Sequence, residues 1–358
     1  MRYYIIIALL LIHVFFAGSS FSEEITGGCS SMFDKEAFSS YLKSLKADDK
    51  TIENTLHLSQ EYFKFLDTEN TCYDYDGVEE FSKRHIAGSE DALQKIIAMA
   101  RVCKFTGREK GLIYLITLCN TIGVLENIRD RSLEVVGKDI TAKIFDNAKV
   151  PALGSPIDEY PDTIRNLLEN MKKALPPCKY RKILAGNNHQ IPAESFITQK
   201  QKYQELGSID EFLKFRQKNT IEEMEKCMNE NRLWYEQKIT PEVIHYMREN
   251  QEVNAGIRSK NRIYITKIPY MVDEYLKTED SGLKPFLACH CPFVRASLKK
   301  GSIPVPGEWC YCSGGFEKFL FDVIFGQDTE VELLESVLAG DKRCRFSIII
   351  PEECIKEE

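Results

Sequence analysis

Apolar and polar positions divide the chain into two textures. From about residue 34 to 148, apolar residues recur at helical spacing among charged ones, as in Leu93, Ile96, Ile97 and Ala100 behind a Ser89 placed to cap that helix. An all-helical region is predicted there. The run GLIYLITLCNTIGVL, 111–125, is apolar nearly all round. It is shorter than the roughly 20 residues of a bilayer span, so it predicts a buried interior helix, with Cys103 and Cys119 as packing residues. The segment KVPALGSPIDEYPD, 149–162, carries three prolines and a glycine between helical patterns and marks the expected domain boundary.

A helix then begins with Pro161 in its first turn. Ile164, Leu167, Leu168, Met171 and Leu175 form its apolar face, and Pro176–Pro177 ends it. Gly186 can stop a short helix and deliver Asn187, Asn188, His189 and Gln190 into a loop, read either as a polar turn or as a ligand-facing loop. Thr220 and Glu223 suggest a capping box for a new helix, Thr240–Pro241 opens another, and Trp234 and Tyr235 read as packing residues.

After Asn261 the pattern changes. Strand-like runs begin at RIYIT, a helix is predicted over 313–325, and TEVELLESVLAGDKRCRFSIIIP reads as a hairpin with Gly340–Asp341 in its turn. The fold class is therefore α+β: an all-helical N-terminal region followed by a C-terminal α+β domain with an antiparallel sheet and a glycine-led helix. The expected divisions are 1–22, 23–150, 151–260 and 261–358. No internal repeat or low-complexity block interrupts them.

Length and composition refine this picture. A chain of 358 residues predicts two domains and a core that folds without staples. Residues 1–22 begin Met-Arg-Tyr-Tyr, continue as an apolar run from Ile5 to Ala17 broken only by His13, and end near the small-x-small triplet Ser20-Phe21-Ser22. That pattern predicts a signal peptide and export to a periplasmic or extracellular space, with an uncleaved membrane anchor as the alternative. Removing it deletes Arg2 and no acidic residue, leaving 47 − 1 = 46 Lys+Arg against 54 Asp+Glu, a net charge of −8. Such a balance lacks the concentrated basic face that nucleic acid requires. The expected partner is a small-molecule ligand, a membrane enters only through an uncleaved N-terminal segment, and a homodimer is left open.

The chemistry concentrates in sulfur. Of 12 cysteines, five crowd into LACHCPF, EWCYCSGGF and GDKRCRF: Cys289, Cys291, Cys310, Cys312 and Cys344. If FLACHC and EWCYC are extended, each Cys-x-Cys pair points its sulfurs to one face while His290 points to the other. Four sulfurs could then converge as in an all-cysteine zinc site, although zinc ligand pairs commonly leave two to four residues between cysteines rather than one. Bridges between the pairs or to Cys344 suit disulfide geometry and an oxidising compartment, whereas a bridge within a Cys-x-Cys pair does not. Zinc, disulfides and reduced thiols all remain open on spacing alone.

A nucleophile is the other candidate. Cys312 stands at a predicted helix N-terminus, where partial positive charge favours a thiolate. His290 or Glu308 is placed to accept its proton, and Arg295 to clamp a substrate carboxylate. Ser313, Gly314 and Gly315 offer open backbone N–H groups to a ligand flanked by Phe316 and Trp309. The bland alternative gives the glycines to close packing and His290 to an ordinary surface.

The motifs CSGGF (312–316), Gly326, ELLES (332–336) and GDKRCRF resemble those of ligand-binding domains related to bacteriochlorophyll 4-vinyl reductase. L-2-amino-thiazoline-4-carboxylic acid hydrolases look like the same superfamily, and SVLAGDKRCRF is similar to their C-terminal signature. The resemblance spans about an eighth of the chain. It implies a small-molecule-binding α+β domain and, in some sensory members, zinc held by a cysteine before the helix, a glutamate and two cysteines around the hairpin glycine. Cys312 or Cys310 matches the first and Cys344 the last, while Ser336 and Leu333 stand where the other cysteine and the glutamate belong. Cys289 and Cys291 are then candidate substitutes, with Glu335 a further one. The activity implied by the second resemblance is hydrolysis of a cyclic C–N bond in a small amino-acid-like substrate, Cys312 attacking or a metal activating water. A disulfide-stabilised structural module is the remaining alternative.

Overall fold

The computed structural model describes residues 33–69, 74–299, 302 and 304–354, so the signal-peptide reading of 1–22, together with Cys29 and Cys72, falls outside the described residues. Two compact units emerge, and their division differs from the one expected. The N-terminal unit runs to Ile122 and takes in Val150–Glu159. The C-terminal unit holds Gly123–Lys149 and everything from Tyr160. The unit division falls within the proline-rich segment, whose residues Val150–Glu159 belong to the first core: Gly154, at φ +93°, lies against Ala87, and its carbonyl accepts from the buried Ser82 hydroxyl at 3.0 Å.

Among the described residues, five α-helices build the N-terminal unit: α1 (Lys35–Ser44), α2 (Asp49–Thr68), α3 (Asp74–His85), α4 (Ala92–Phe105) and α5 (Glu109–Cys119). Asp34 and Asp48 cap the first two, each accepting backbone N–H groups left unpaired by the first turn. Ser89 does not cap α4, because its hydroxyl turns back to the Ile86 carbonyl. The apolar faces meet in a core of Phe38, Tyr62, Leu66, Phe81, Met99, Leu115 and their neighbours. Cys103 and Cys119 are buried within it, and burial pushes the Cys119 thiol up to about 12. Among the described residues, Glu109–Val136 is long and apolar enough to cross a membrane, and 67% of its most apolar window is buried. It is broken into α5 and α6 by a turn at Gly123, whose φ of +75° glycine adopts without strain.

The C-terminal unit comprises α6 (Val124–Val136), α7 (Lys138–Ile144), α8 (Tyr160–Ala174), α9 (Pro177–Leu184), α10 (Ile197–Leu206), α11 (Ile209–Asn229), α12 (Pro241–Glu249), β1 (Ile257–Ser259), β2 (Arg262–Thr266), α13 (Val272–Lys277), α14 (Lys284–Ala288), α15 (Tyr311–Phe325), β3 (Val331–Glu335) and β4 (Arg345–Ile349). α11 is one 21-residue helix capped at Ser208, so Thr220 and Glu223 lie mid-helix and form no capping box. Thr240 does cap α12.

The four strands form an antiparallel sheet in the order β1-β2-β4-β3. Ile263, Ile265, Phe346 and Ile348 point to one face and are fully buried, as period-two alternation requires. On the opposite face Arg262 reaches Glu332 and the Ser347 hydroxyl. The hairpin from β3 to β4 has Gly340 at φ +96° in its connection.

Two glycines decide where α15 lies. A Cβ on Gly314 would come 3.2 Å from the Phe346 ring of the sheet, and one on Gly315 would run into the Gly186 carbonyl and come 2.6 Å from the Ala185 carbonyl carbon. The helix is therefore pressed between β4 and the C-terminal end of α9. Gly315→Ala is expected to cost about 1–3 kcal/mol or more, because the obstacle is backbone. A denaturant midpoint unchanged from the unsubstituted chain would contradict that packing.

Candidate functional site

The segments carrying the clustered cysteines are not strands. Residues 284–288 are helix α14, and Cys289, His290 and Cys291 follow in an extended exit from it. Gly307–Cys310 is a 3₁₀ turn running straight into α15. The turn occupies the backbone donors that a helix start would offer, so Cys312 is not at an open N-terminus. Cys344 precedes β4, and its carbonyl accepts the Lys267 N–H at 2.9 Å, one step beyond the β2–β4 ladder.

Tertiary packing, not strand alternation, draws the five thiols into one neighbourhood. Cys289 lies within electrostatic reach of Cys291 and Cys344, and Cys312 within reach of Cys291. Cys310 and Cys344 form a hydrogen-bonded pair in which the Cys310 thiol donates. That bond raises Cys310 well above the ordinary thiol range and lowers Cys344. Ser336, at the position where the resemblance has cysteine, donates its hydroxyl to Cys310 Sγ at 3.1 Å. Burial pushes the other thiols up, Cys312 to about 12, with Cys289 and Cys291 also raised. The expectation of a helix-activated thiolate at Cys312 is therefore corrected: desolvation outweighs any helix-end field. The five clustered cysteines are free thiols. Among the described residues no three His, Cys, Asp or Glu side chains are grouped to hold a metal ion.

The imidazole beside Cys312 is His189, from the loop after α9, with Nε2 3.8 Å from Sγ. From sequence alone His189 belongs to a polar turn or a ligand-facing loop, and His290 or Glu308 is the proton acceptor expected for Cys312. Only tertiary structure could join positions 123 residues apart. The loop is held by Asn188, which donates to the carbonyls of Ile183 and Leu184, and by Asn187, which bonds Ile191 through both amide atoms. His290 instead places Nε2 2.6 Å from the Ile268 carbonyl and packs edge-on to Tyr270. Glu308 pairs with Lys172 at 2.6 Å, and Glu335 with Arg343.

Arg295 is no carboxylate clamp. It is buried, with its guanidinium 4.5 Å and 4.3 Å from the ring centres of Tyr270 and Phe286 and Nε donating to the Phe286 carbonyl. Trp309 is 1% exposed and packs edge-on to Phe293, so it belongs to the core rather than to a ligand face. Its indole N–H lacks a well-aligned partner but favours the charged form of the neighbouring Cys291. Gly314 and Gly315 are likewise buried packing residues.

Lys267 organises what remains. Its ammonium donates to the Ser313 hydroxyl at 3.1 Å, lies 3.6 Å from the Glu317 carboxylate, and sits 5.1 Å from the centre of the Phe316 ring. His189 stands edge-on to the same ring. Burial first, and the Lys267 charge second, pull His189 down to about 4 and His290 to about 3. Both imidazoles are therefore neutral at ordinary pH.

A family of unknown function, DUF6144, matches residues 273–355, the stretch that carries all five clustered cysteines. Neither the curated proteins nor the solved structures yield a match.

The half-buried, neutral histidines make stability depend on pH with a definite sign. The unfolded chain binds a proton at His189 near pH 6.5 and the folded chain only near 4, so stability is full above 6.5 and falls as pH drops between them. The loss from His189 is on the order of 2–3 kcal/mol. Thermal unfolding followed from pH 7 to 4 should lose midpoint steadily, and His189→Gln should flatten part of that slope. An identical slope in the variant would show that His189 is not buried uncharged.

Proposed function

We propose that the C-terminal unit is a small-molecule-binding module whose site is the neighbourhood of Lys267, on an exported protein. The observation that carries the reading is one ammonium placed among thiols and imidazoles whose environment keeps nearly all of them uncharged. Burying charge is costly unless it serves as a partner to something. The Glu317 carboxylate at 3.6 Å supplies only part of that partnership. Ser313 and the 39%-exposed Phe316 give the same place a polar handle and an open ring, a combination suited to orienting a small ligand.

The contact between Cys312 and His189 favours a second reading, hydrolysis of a cyclic C–N bond in a small amino-acid-like substrate. Cys312 would be the nucleophile and His189 its proton acceptor. With the thiol raised to about 12 and the imidazole lowered to about 4, the resting pair is neutral, and the proton crosses only as sulfur attacks.

A panel of small amino-acid-like and heterocyclic compounds, tested by thermal shift on the full chain, separates the readings. A true ligand at about 100 times its Kd stabilises by about 2.7 kcal/mol, and Lys267→Met should abolish that shift. A compound whose shift survives Lys267→Met binds elsewhere and refutes the site. Under the hydrolase reading, Cys312→Ser keeps the shift and loses turnover. Turnover retained by Cys312→Ser would remove the nucleophile.

A further inference from the structure

Along α15, Ser313, Glu317 and Phe321 recur every fourth residue and so share one helix face. Two cations front that face. Lys267 meets Ser313 and Glu317 at 3.1 and 3.6 Å. Arg216, from α11, lies 5.7 Å from the centre of the Phe321 ring and feels the Glu317 carboxylate. Arg216 is anchored on one side only, by Nη2 donating to the Asn254 carbonyl at 2.9 Å. The other amino group, Nη1, is buried and has no hydrogen-bond partner among the described residues. Asn254 is itself tied to the end of β2, its N–H donating to the Thr266 carbonyl at 2.9 Å, so Arg216 and Lys267 are held on adjacent backbone.

A buried guanidinium N–H left unpaired forfeits a charge-assisted hydrogen bond, and two cations facing one carboxylate leave one positive charge uncompensated. Desolvation lowers even the arginine, to about 10. The histidines and the thiols nearest Lys267 supply no compensating charge apart from Cys344, whose thiol is lowered and feels both the Lys267 and the Glu317 charges. A monoanion would complete both the hydrogen bond and the charge balance. A dianion such as phosphate would overshoot it beside Glu317.

We propose that the ligand is a small monocarboxylate, its carboxylate held between Arg216 Nη1 and the Lys267 ammonium with Glu317 as the fixed counter-charge. This rests on the small-molecule reading above and names the chemical class of its ligand. Nothing local in the chain distinguishes Arg216 from the other charges of α11.

Isothermal titration of the full chain with benzoate, with benzamide as the neutral match in shape and inorganic phosphate as the alternative anion, tests the assignment. Benzoate should bind saturably, benzamide at least tenfold more weakly, and phosphate no better than benzamide. Arg216→Met should remove benzoate binding. Because that substitution could also disturb packing, Glu317→Gln provides the opposite sign: removing the counter-charge should tighten benzoate several-fold in a folded protein. Benzoate that binds no better than benzamide overturns the proposal, as does affinity unchanged or weakened in Glu317→Gln. If a neutral compound shows a Lys267-dependent thermal shift while benzoate fails, the ligand class is wrong and the site stands. If no compound shows such a shift and benzoate also fails, both fall.

Discussion

The C-terminal unit depends on one close approach, the seating of Gly315 against the carbonyls of Ala185 and Gly186. Without a side chain at 315, α15 comes within backbone contact of the end of α9, while Gly314 lets its other flank meet Phe346 of the sheet. That placement sets Cys310 and Cys312 opposite the residues that follow α14, Ser336 and Cys344, and presents the Ser313–Glu317–Phe321 face to Lys267 and Arg216. Gly186 is confined in turn, since a Cβ there would run into Arg131 of α6. The glycines that looked like ligand-facing backbone are the packing surface that brings the site together.

Much of the architecture was legible in the sequence, for identifiable reasons. The hairpin of β3 and β4 and the strand RIYIT place apolar residues at alternate positions, with a glycine in the hairpin turn, and Pro161 and Thr240–Pro241 mark helix starts by backbone chemistry. These signals are local, and tertiary packing had no cause to override them. The misreadings arose where local pattern competes with context. FLACHC is apolar enough for a strand, yet Pro285 in the first turn leads a short helix. Thr220 and Glu223 satisfy a capping pattern but lie inside a helix whose cap is Ser208, twelve positions earlier. The proline-rich stretch reads as a domain boundary by composition, and the division between the two units does fall within it, at Lys149/Val150 and Glu159/Tyr160.

The site was only half readable. Clustering of the cysteines is visible from spacing, and they share one neighbourhood. Their protonation is not visible, because it depends on burial: a thiol in a first helical turn is activated when the turn is open and suppressed when a 3₁₀ turn precedes it in a packed interior. His189 and Arg216 are distant in sequence from everything they touch, and no motif marks either. Arg295 has the residue type of a carboxylate clamp, but its aromatic neighbours Tyr270 and Phe286 engage it fully.

The bond from the Lys267 N–H to the Cys344 carbonyl makes the placement of the site a matter of strand alignment. Lys267 follows directly on the β2–β4 pairing, in which Thr266 stands opposite Arg345. Side chains alternate between faces with each step along a strand, so sliding β2 past β4 by one position would swing the lysine to the opposite side of the sheet. It would at the same time bring Ile263 and Ile265 out of the core. The hydrophobic alternation that stabilises the sheet thus also proofreads the orientation of Lys267.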